Sequence, residues 1–136
     1  MTAFLLDANH LSPLVTVGHS LRTKLHTSVI AGNTFSIAAS VLSEFLFGIG
    51  GLPRAEQNRR EWQLLKDDFT IYSIDEGIAS EAAELRLKMR KVGRQIALID
   101  AFTAVIALRQ NLVLLTTDKD FQVIPGLEQE NWLLSV

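Results

Sequence analysis

Cysteine is absent from the 136-residue sequence. A disulfide framework, a thiolate zinc site and a cysteine nucleophile are therefore all excluded. A strong excess of charge of one sign is also lacking, because 13 basic and 15 acidic side chains leave a formal net charge of −2 at pH 7. The chain as a whole has no positive field to attract nucleic acid, so such a partner would need a local basic patch.

Long apolar runs are missing as well. Glu44 and Asp100 interrupt the most apolar stretches, so no transmembrane helix is expected. No basic segment precedes the first apolar run, which argues against a secretory signal. We therefore expect a cytoplasmic protein that has no membrane partner.

The length and composition are those of one ordinary domain. Hydrophobic residues make up 48% of the 136 residues, which is enough for a sizeable core. The sequence contains no internal repeat, no low-complexity tract and no convincing linker. We predict a single domain that spans residues 1–136.

Apolar segments and helical patterns alternate along the chain. Five segments predict β-strands: residues 3–6, 34–39, 69–74, 112–117 and 131–136. Four others predict helices: residues 41–47, residues 54–68, the segment that follows Asp75, and residues 101–108. Strands that alternate with helices are joined by right-handed crossovers. We therefore predict an α/β fold, a three-layer α/β/α sandwich with a central, mostly parallel sheet.

Two of the helices have a predicted inner face. In the polar helix over residues 54–68, Trp62, Leu64 and Leu65 are expected to face the core. Asp75 is the predicted N-cap of the next helix. Apolar residues recur in that helix at steps of three and four, which is one helical face: Ile78, Ala82, Leu85, Met89 and Val92.

Four acidic side chains are predicted to meet at one edge of the sheet. Asp7 ends the first strand and Asp118 follows the fourth. Glu44 is expected in the first turn of the helix after the second strand, and Asp100 at the start of the helix before the fourth. Ligands of open parallel sheets bind outside the carboxyl ends of the strands, so this edge is the predicted site.

Three of the acids also have an ordinary structural explanation. Asp100 fits a helix N-cap, Glu44 fits the positive end of a helix, and Asp118 fits a turn. For Asp7 the sequence offers no packing role. Clustered carboxylates repel one another and have raised pKa values unless cations compensate. Oxygen ligands without cysteine or histidine suit Mg²⁺ or Mn²⁺ better than zinc, so the four acids predict a site for such an ion.

Four motifs resemble, in order and spacing, those of the PIN-domain ribonucleases: "LLDAN" (5–9), "SEF" (43–45), "IDAFTAVIAL" (99–108) and "TTDKDF" (116–121). With "IPGL" (124–127), the likeness covers nearly the whole chain. Among PIN domains the chain looks most similar to the VapC-type toxins of bacterial toxin–antitoxin pairs. One departure is Phe102-Thr103, where the family has smaller or aliphatic residues, and we expect it to alter packing rather than chemistry.

The resemblance implies roles for individual residues. The catalytic ligands of Mg²⁺ or Mn²⁺ would be Asp7, Glu44, Asp100 and Asp118. Asn9 and Thr116 match small polar positions of the family and would orient those ligands or a water. Asp120 would be an additional acid or a structural residue.

The resemblance also implies an activity and partners. The expected reaction is metal-assisted hydrolysis of RNA phosphodiester bonds, with 5′-phosphate and 3′-hydroxyl products. It needs no protein nucleophile, in agreement with a chain that offers no activated serine or cysteine. A VapC-type toxin would also have a small antitoxin partner that blocks the acidic pocket, often with an arginine, and would form a homodimer.

A basic stripe is the candidate contact for RNA. Arg86, Arg90 and Arg94 recur every four residues beside the core face of their helix, and Lys91 is adjacent. Such runs are usually solvated helix faces, and the alternative is that they contact RNA phosphates. The histidines are too scattered for a metal triad, and we expect them at the surface or at caps: His10, His19 and His26.

Other functions compete with a nuclease toxin. A PIN nuclease outside any toxin–antitoxin pair and an inert RNA-binding PIN module are the nearest alternatives. The presence of all four acids argues against the inert module. An aspartyl-nucleophile phosphatase also has an Asp at the end of its first strand, but its second Asp corresponds to Asn9, which cannot act as the same general acid.

Overall fold

The computed structural model describes residues 1–134, and within that range five parallel strands form one sheet in the order β3-β2-β1-β4-β5. The strands are β1 (Ala3–Leu6), β2 (Thr34–Ala38), β3 (Phe69–Tyr72), β4 (Val113–Leu115) and β5 (Gln129–Glu130). Over the same residues the α-helices are α1 (Ala8–Leu11), α2 (Ser20–Ile30), α3 (Ala39–Gly50), α4 (Ala55–Leu65), α5 (Glu76–Lys91) and α6 (Leu98–Gln110). Short 3₁₀ helices occupy Ser12–Val15, Lys66–Asp68 and Lys119–Val123.

The first strand lies in the middle of the sheet. Leu5 pairs with Ser36 of β2 on one side and with Leu114 of β4 on the other. Successive residues of a strand face opposite sides of a sheet, and Leu5 and Leu6 are both buried. Both faces of β1 are therefore covered, which confirms the predicted α/β sandwich around a parallel sheet.

The direction of the strand order reverses at β1. From β1 the chain runs through β2 to β3 on one side, and then returns to β4 and β5 on the other. The carboxyl ends of β1 and β4 therefore lie at a topological switch point, where open parallel sheets bind their ligands.

Four of the five predicted strands are present near their predicted bounds. The first matches at both ends, and the strands predicted at 34–39, 69–74 and 112–117 are shorter by one to three residues. The strand predicted at 131–136 is wrong: β5 comes earlier, at Gln129–Glu130, and residues 132–133 form a turn. Residues 135–136 of that prediction lie outside the described range.

The predicted helices are also present, with two errors in their inner faces. Trp62 is buried, but Leu64 is 73% exposed, because two residues along a helix turn the side chain to the opposite face. Val92 is 68% exposed, because α5 ends at Lys91 and Val92 no longer follows the helical period. Asp75 is the N-cap of α5 as predicted, and its Oδ1 accepts a 2.9 Å hydrogen bond from the backbone N–H of Ile78.

Helices α1 and α2 have no counterpart in the sequence-based expectations. In α2 Leu21 and Leu25 are buried and Val29 packs partly against the core, so an apolar residue recurs only at every fourth position of a largely polar segment. In α1 only one turn forms, and a single turn is too short for helical periodicity to be recognised.

The unusual Phe102-Thr103 pair is accommodated by packing. Thr103 is buried in α6, and its Oγ1 donates a 3.1 Å hydrogen bond to the backbone carbonyl of Ile99. Phe102 packs against the core from a partly buried position. Among residues 1–134, no helix has both the length and the apolar character needed to cross a membrane.

Candidate functional site

Asp7 lies at the switch point, one residue beyond β1. Its backbone N–H donates a 3.0 Å hydrogen bond to the carbonyl of Leu115, so β1 and β4 stay paired up to the start of the site. The side chain is only 7% exposed. A carboxylate so deeply placed needs hydrogen-bond partners or a cation.

Three donors hold the Asp7 carboxylate. Oδ1 accepts from the backbone N–H of Ala8 at 2.9 Å and thereby caps α1. Oδ2 accepts from Thr116 Oγ1 at 2.8 Å and from Asn9 Nδ2 at 3.2 Å. The sequence offered no packing role for Asp7, and the structure adds a local one, because the residue is the N-cap of α1 as well as a candidate ligand.

Asn9 and Thr116 join the two strand ends around Asp7. Asn9 Nδ2 lies 3.3 Å from Thr116 Oγ1, and the backbone N–H of Thr117 donates to Asn9 Oδ1 at 3.2 Å. Thr116 Oγ1 in turn accepts from the backbone N–H of Asp118 at 3.0 Å. Both side chains thus contact Asp7 directly, and Thr116 also holds the backbone of the next candidate ligand.

The other three acids approach the same edge from different elements. Glu44 is the sixth residue of α3, so it lies in the second turn and not in the first as expected. Asp100 lies in the first turn of α6, whose N-cap is Ala97, so the N-cap explanation for Asp100 is wrong. Asp118 caps the 3₁₀ helix Lys119–Val123 through a 2.9 Å bond from the N–H of Asp120, so its turn explanation is correct.

Mutual repulsion connects these carboxylates. Burial, and then the charges of Asp7, Asp118, Glu44 and Asp120, raise the pKa of Asp100 to about 6. Burial and the charge of Asp7 raise the pKa of Glu44. Burial also raises the pKa of Asp7, where the charge of Asp118 adds to it and the hydrogen bonds from Thr116, Ala8 and Asn9 oppose it. The raised pKa values expected of clustered acids are therefore present at Asp7, Glu44 and Asp100.

The donor atoms of this cluster suit a hard divalent cation, although the carboxylates are not close enough together to form a complete binding site. Its donors are all carboxylate oxygens, and a cation would relieve the repulsion that adds to burial in raising the pKa values of Asp7, Glu44 and Asp100. Yet nowhere in residues 1–134 do three acids or histidines stand close enough together to hold an ion as they are. The carboxylates thus influence one another's pKa values, but no three of them are placed to coordinate the same ion.

One further polar group in this region has no partner. Ser40 Oγ, in the first turn of α3 just after β2, is buried and makes no hydrogen bond within the described residues. Ser40 precedes Glu44 by four residues, so the two share a face of the helix. Nothing in the sequence distinguishes this serine from its neighbours, so no local signal could have found it.

A cleft of about 290 Å³ opens beside the acids. Polar and apolar residues line it together: Arg86, Gln95, Ile96, Ala97, Asp100, Asp120, Phe121 and Ile124. Asp120 is exposed, and its charge is one of those that raise the pKa of Asp100. The structure therefore places Asp120 at the margin of the cluster.

The basic stripe leads into that cleft. Arg86, Arg90 and Arg94 line a second cleft of about 740 Å³, which shares Arg86 with the first. Arg86 Nε donates a 3.0 Å hydrogen bond to the carbonyl of Ile96, which fixes it between the two clefts. Lys91, the last residue of α5, does not line either cleft.

The histidines differ from one another in placement. His19 caps α2, with its Nδ1 accepting from the backbone N–H of Leu21 at 3.0 Å, which agrees with the expected cap role. His10 is 0% exposed, so the expectation of a surface position is wrong. The side chain of His10 contacts its neighbour Asn9 at the site, and only the fold makes visible its second contact, with the backbone N–H of Trp132.

A parallel sheet with an acidic site at its switch point defines a class of α/β proteins with a candidate metal centre at the carboxyl ends of the strands. The PIN domain family model matches residues 4–127, and the chain therefore belongs to the PIN-domain family. The predicted resemblance is confirmed by this match.

Individual relatives agree with the family. The chain is 30% identical over 101 residues to Ribonuclease VapC2 of Rickettsia felis. The aligned residues cover 74% of this chain and 75% of that protein. Its fold is similar to that of VapBC2 from Rickettsia felis bound to a promoter DNA fragment, with a TM-score of 0.83, 25% identity, and coverage of 96% and 99%. A toxin–antitoxin complex from Klebsiella pneumoniae is similar at a TM-score of 0.69, with 26% identity and coverage of 91% and 94%.

Proposed function

We propose that this protein is a VapC-type endoribonuclease, the toxin of a toxin–antitoxin pair, which hydrolyses RNA phosphodiester bonds with Mg²⁺ or Mn²⁺. The observation that carries the proposal is the group of mutually repelling carboxylates at the switch point. The relative from Rickettsia felis named as a ribonuclease supports the activity.

The candidate ligands of the ion are Asp7, Glu44, Asp100 and Asp118. A divalent ion bound there would lower the pKa of a water and balance the charge that develops on the scissile phosphate. Asp7 is held for that role by Thr116 Oγ1 and by the backbone of α1. Because coordination would require the carboxylates to approach one another, neutralising their repulsion is what would draw them together.

The arginine clefts are the proposed path of the RNA. Arg90 and Arg94 line the cleft of about 740 Å³, called here the outer cleft. Arg86 lines both this cleft and the cleft of about 290 Å³ beside the acids. Cationic side chains on this approach offset the repulsion between the RNA backbone and the acids. Lys91 would contribute from the end of α5 as an exposed charge nearby.

A protein partner is proposed from the similar structures and from an exposed apolar patch. The Klebsiella pneumoniae structure is a toxin–antitoxin complex. On this chain Phe47 is 87% exposed and lines a cleft of about 510 Å³ with Leu46, Leu52 and the glycines between them. Apolar patches of this kind mark protein interaction sites. We infer a small antitoxin and a homodimer, in a cytoplasmic setting, with the acids as receptor for an arginine of the antitoxin.

The experiment that tests the activity compares two capping aspartates. Purified protein is expected to cleave a fluorescent RNA in Mg²⁺ or Mn²⁺ but not in EDTA, and Asp7→Asn is expected to abolish cleavage. Asp75→Asn is the matched control, because Asp75 is also a helix N-cap but is not among the charges that raise the pKa of Asp100. Full activity of Asp7→Asn would contradict the proposed site.

The alternatives give different results in the same assays. An inert RNA-binding module would bind RNA in every divalent metal without cleaving it. A phosphatase would hydrolyse a small phosphomonoester through a covalent intermediate on Asp7, although the Asn9 amide, which donates to that carboxylate, is not acidic enough to transfer a proton to a leaving group. A toxin is expected to arrest growth when expressed, and Asp7→Asn should relieve the arrest. A nuclease that leaves growth unaffected would instead act outside a toxin–antitoxin pair.

A further inference from the structure

A buried histidine connects the site to the C-terminal part of the chain. His10 is completely buried on α1, three residues after Asp7. Its Nδ1 lies 2.7 Å from Asn9 Oδ1, and its Nε2 accepts a 3.1 Å hydrogen bond from the backbone N–H of Trp132. The proposed reaction assigns no role to the His10 ring, yet both of its nitrogens have hydrogen-bond partners.

The partners determine which nitrogen carries the proton. A backbone N–H can only donate, so the Nε2 that faces Trp132 must present its lone pair. In the neutral ring the proton is then on Nδ1, which donates to Asn9 Oδ1. Burial, together with the charge of Lys24, lowers the pKa of His10 to about 4, in agreement with a neutral ring.

The same bonds determine how the Asn9 amide is turned. Its Oδ1 accepts from the Thr117 N–H and from His10 Nδ1, so its Nδ2 faces the carboxylate of Asp7 at 3.2 Å. If the amide were turned the other way, its NH₂ group would face two other donors, the Thr117 N–H and His10 Nδ1. Its oxygen would then face the Asp7 carboxylate, which is also an acceptor. The orientation in which the Asn9 amide donates to Asp7 is thus the only one that is compatible with its other hydrogen bonds.

Trp132, the last residue of this hydrogen-bond network, is fixed by packing. The Trp132 ring packs edge-on against Phe4 at 5.0 Å and Phe35 at 5.9 Å between ring centres. Lys24 Nζ lies 4.5 Å from the centre of the same ring. These contacts fix the backbone N–H that faces His10 Nε2, so the tautomer is set by packing against β1 and β2.

We propose that His10 is a positioning residue for the carboxylate site, which as the Nδ1–H tautomer holds the Asn9 amide in the orientation that donates to Asp7. Its effects on Mn²⁺ affinity and on kinetics rest on the proposed metal-dependent function, while the tautomer does not. His10 touches neither the RNA nor the reacting atoms and acts only through Asn9.

The first test is the tautomer in the metal-free wild-type protein. Long-range ¹H–¹⁵N NMR at neutral pH should show His10 protonated at Nδ1 and not at Nε2. His19 is an internal reference, because its Nδ1 accepts from the Leu21 N–H and its neutral form has the opposite tautomer. The His10→Asn spectrum, which lacks the resonance, assigns it. A proton on Nε2 of His10 would overturn the proposal.

The second test is the affinity for Mn²⁺ alone, measured by calorimetry. His10→Phe keeps the ring volume but removes both hydrogen bonds, and it should weaken Mn²⁺ binding about 10-fold. His10→Asn keeps a donor near the position of Nδ1 and should recover most of the affinity. His19→Phe is the matched control: it also deletes an acceptor of a backbone N–H, and Mn²⁺ affinity should not change. Equal affinities in wild type and both His10 variants would refute the positioning role.

Kinetics separates this inference from the proposed function. His10→Phe should lower kcat on RNA about 10- to 100-fold with little change in KM, and His10→Asn should restore part of it. Wild-type protein that binds Mn²⁺ but cleaves no RNA would contradict the nuclease and leave the role of His10 to be decided by calorimetry. Active wild type with an unchanged His10→Phe kcat would overturn the role of His10 alone. Should His10→Phe fail to fold, the wild-type NMR spectrum and His10→Asn still decide.

Discussion

Thr116 Oγ1 donates a 2.8 Å hydrogen bond to Asp7 Oδ2, across the junction between β4 and β1. The two residues are 109 positions apart in the chain, and the parallel pairing of their strands brings them together. The same Thr116 oxygen accepts from the backbone N–H of Asp118. One hydroxyl therefore orients two of the four candidate ligands.

Replacing that hydroxyl by a methyl group should damage the site more than the fold. Thr116→Val keeps the shape of the side chain, but it removes the hydrogen bond that lowers the pKa of Asp7 and leaves the Asp118 N–H without an acceptor. We expect kcat on RNA to fall about 10- to 100-fold and unfolding free energy to fall by about 1–3 kcal/mol. Thr116→Ser, which keeps the hydroxyl, should retain most of both. Equal activity of the two variants would contradict this role.

Asp100 should destabilise the metal-free protein at neutral pH. Its pKa rises to about 6 in the folded protein, above the ordinary value of 3.8, so the folded state binds this proton more tightly than the unfolded state does. Stability contributed by the proton is present below pH 3.8 and is lost as pH rises toward 6. Because Asp100 is partly exposed to solvent, we expect a loss of about 1–2 kcal/mol rather than the full value of the shift.

Urea unfolding in EDTA tests this dependence. Asp100→Asn should gain stability relative to wild type at about pH 8 and lose that advantage at about pH 4, because only the carboxylate titrates. Added Mg²⁺ should raise the stability of wild type at pH 8 and have a smaller effect on the variant. A difference between the two proteins that does not change with pH would rule out repulsion at Asp100.

The arginine stripe should act on RNA binding and not on chemistry. Arg90→Gln and Arg94→Gln each remove a charge from the outer cleft, so KM should rise with kcat nearly unchanged. The slope of log KM against log salt should fall by about 0.7 for each RNA phosphate that the variant no longer neutralises. Arg109→Gln is the control, because Arg109 pairs with Glu81 at 3.3 Å and lies outside both clefts. Equal salt slopes in all three variants would show that the stripe is a solvated surface.

The end of α5 can be tested by two alanine substitutions. Met89 is 4% exposed, and Met89→Ala should lower the unfolding free energy by about 2–5 kcal/mol through the cavity it leaves. Val92 lies beyond the end of the helix on the surface, and Val92→Ala should change the unfolding free energy by less than about 0.5 kcal/mol. Urea unfolding measures both. Comparable losses would mean that the helix continues and buries Val92, as the sequence period alone predicts.

The sequence by itself determined four of the five strands, most of the helical segments and the positions of the four acids. These follow from local rules: an apolar run covered on both faces has to be buried, and a charge that follows it has to lie at the end of the strand. That is why β1 and Asp7 could be placed without the fold. The family could also be identified from the motifs that surround the acids.

Only the tertiary structure decided what meets at the edge of the sheet. The strand order places Thr116 against Asp7, and no local pattern encodes a contact between residues 109 positions apart. The depth of Glu44 in α3 depends on where β2 ends, which packing decides. His10 was expected at the surface or at a cap because it is polar and has no second histidine near it in the sequence, yet the turn that contains Trp132 supplies its hydrogen bond and the side chain is buried. Such contacts result from the closure of long loops against the packed core, so composition and periodicity do not contain them.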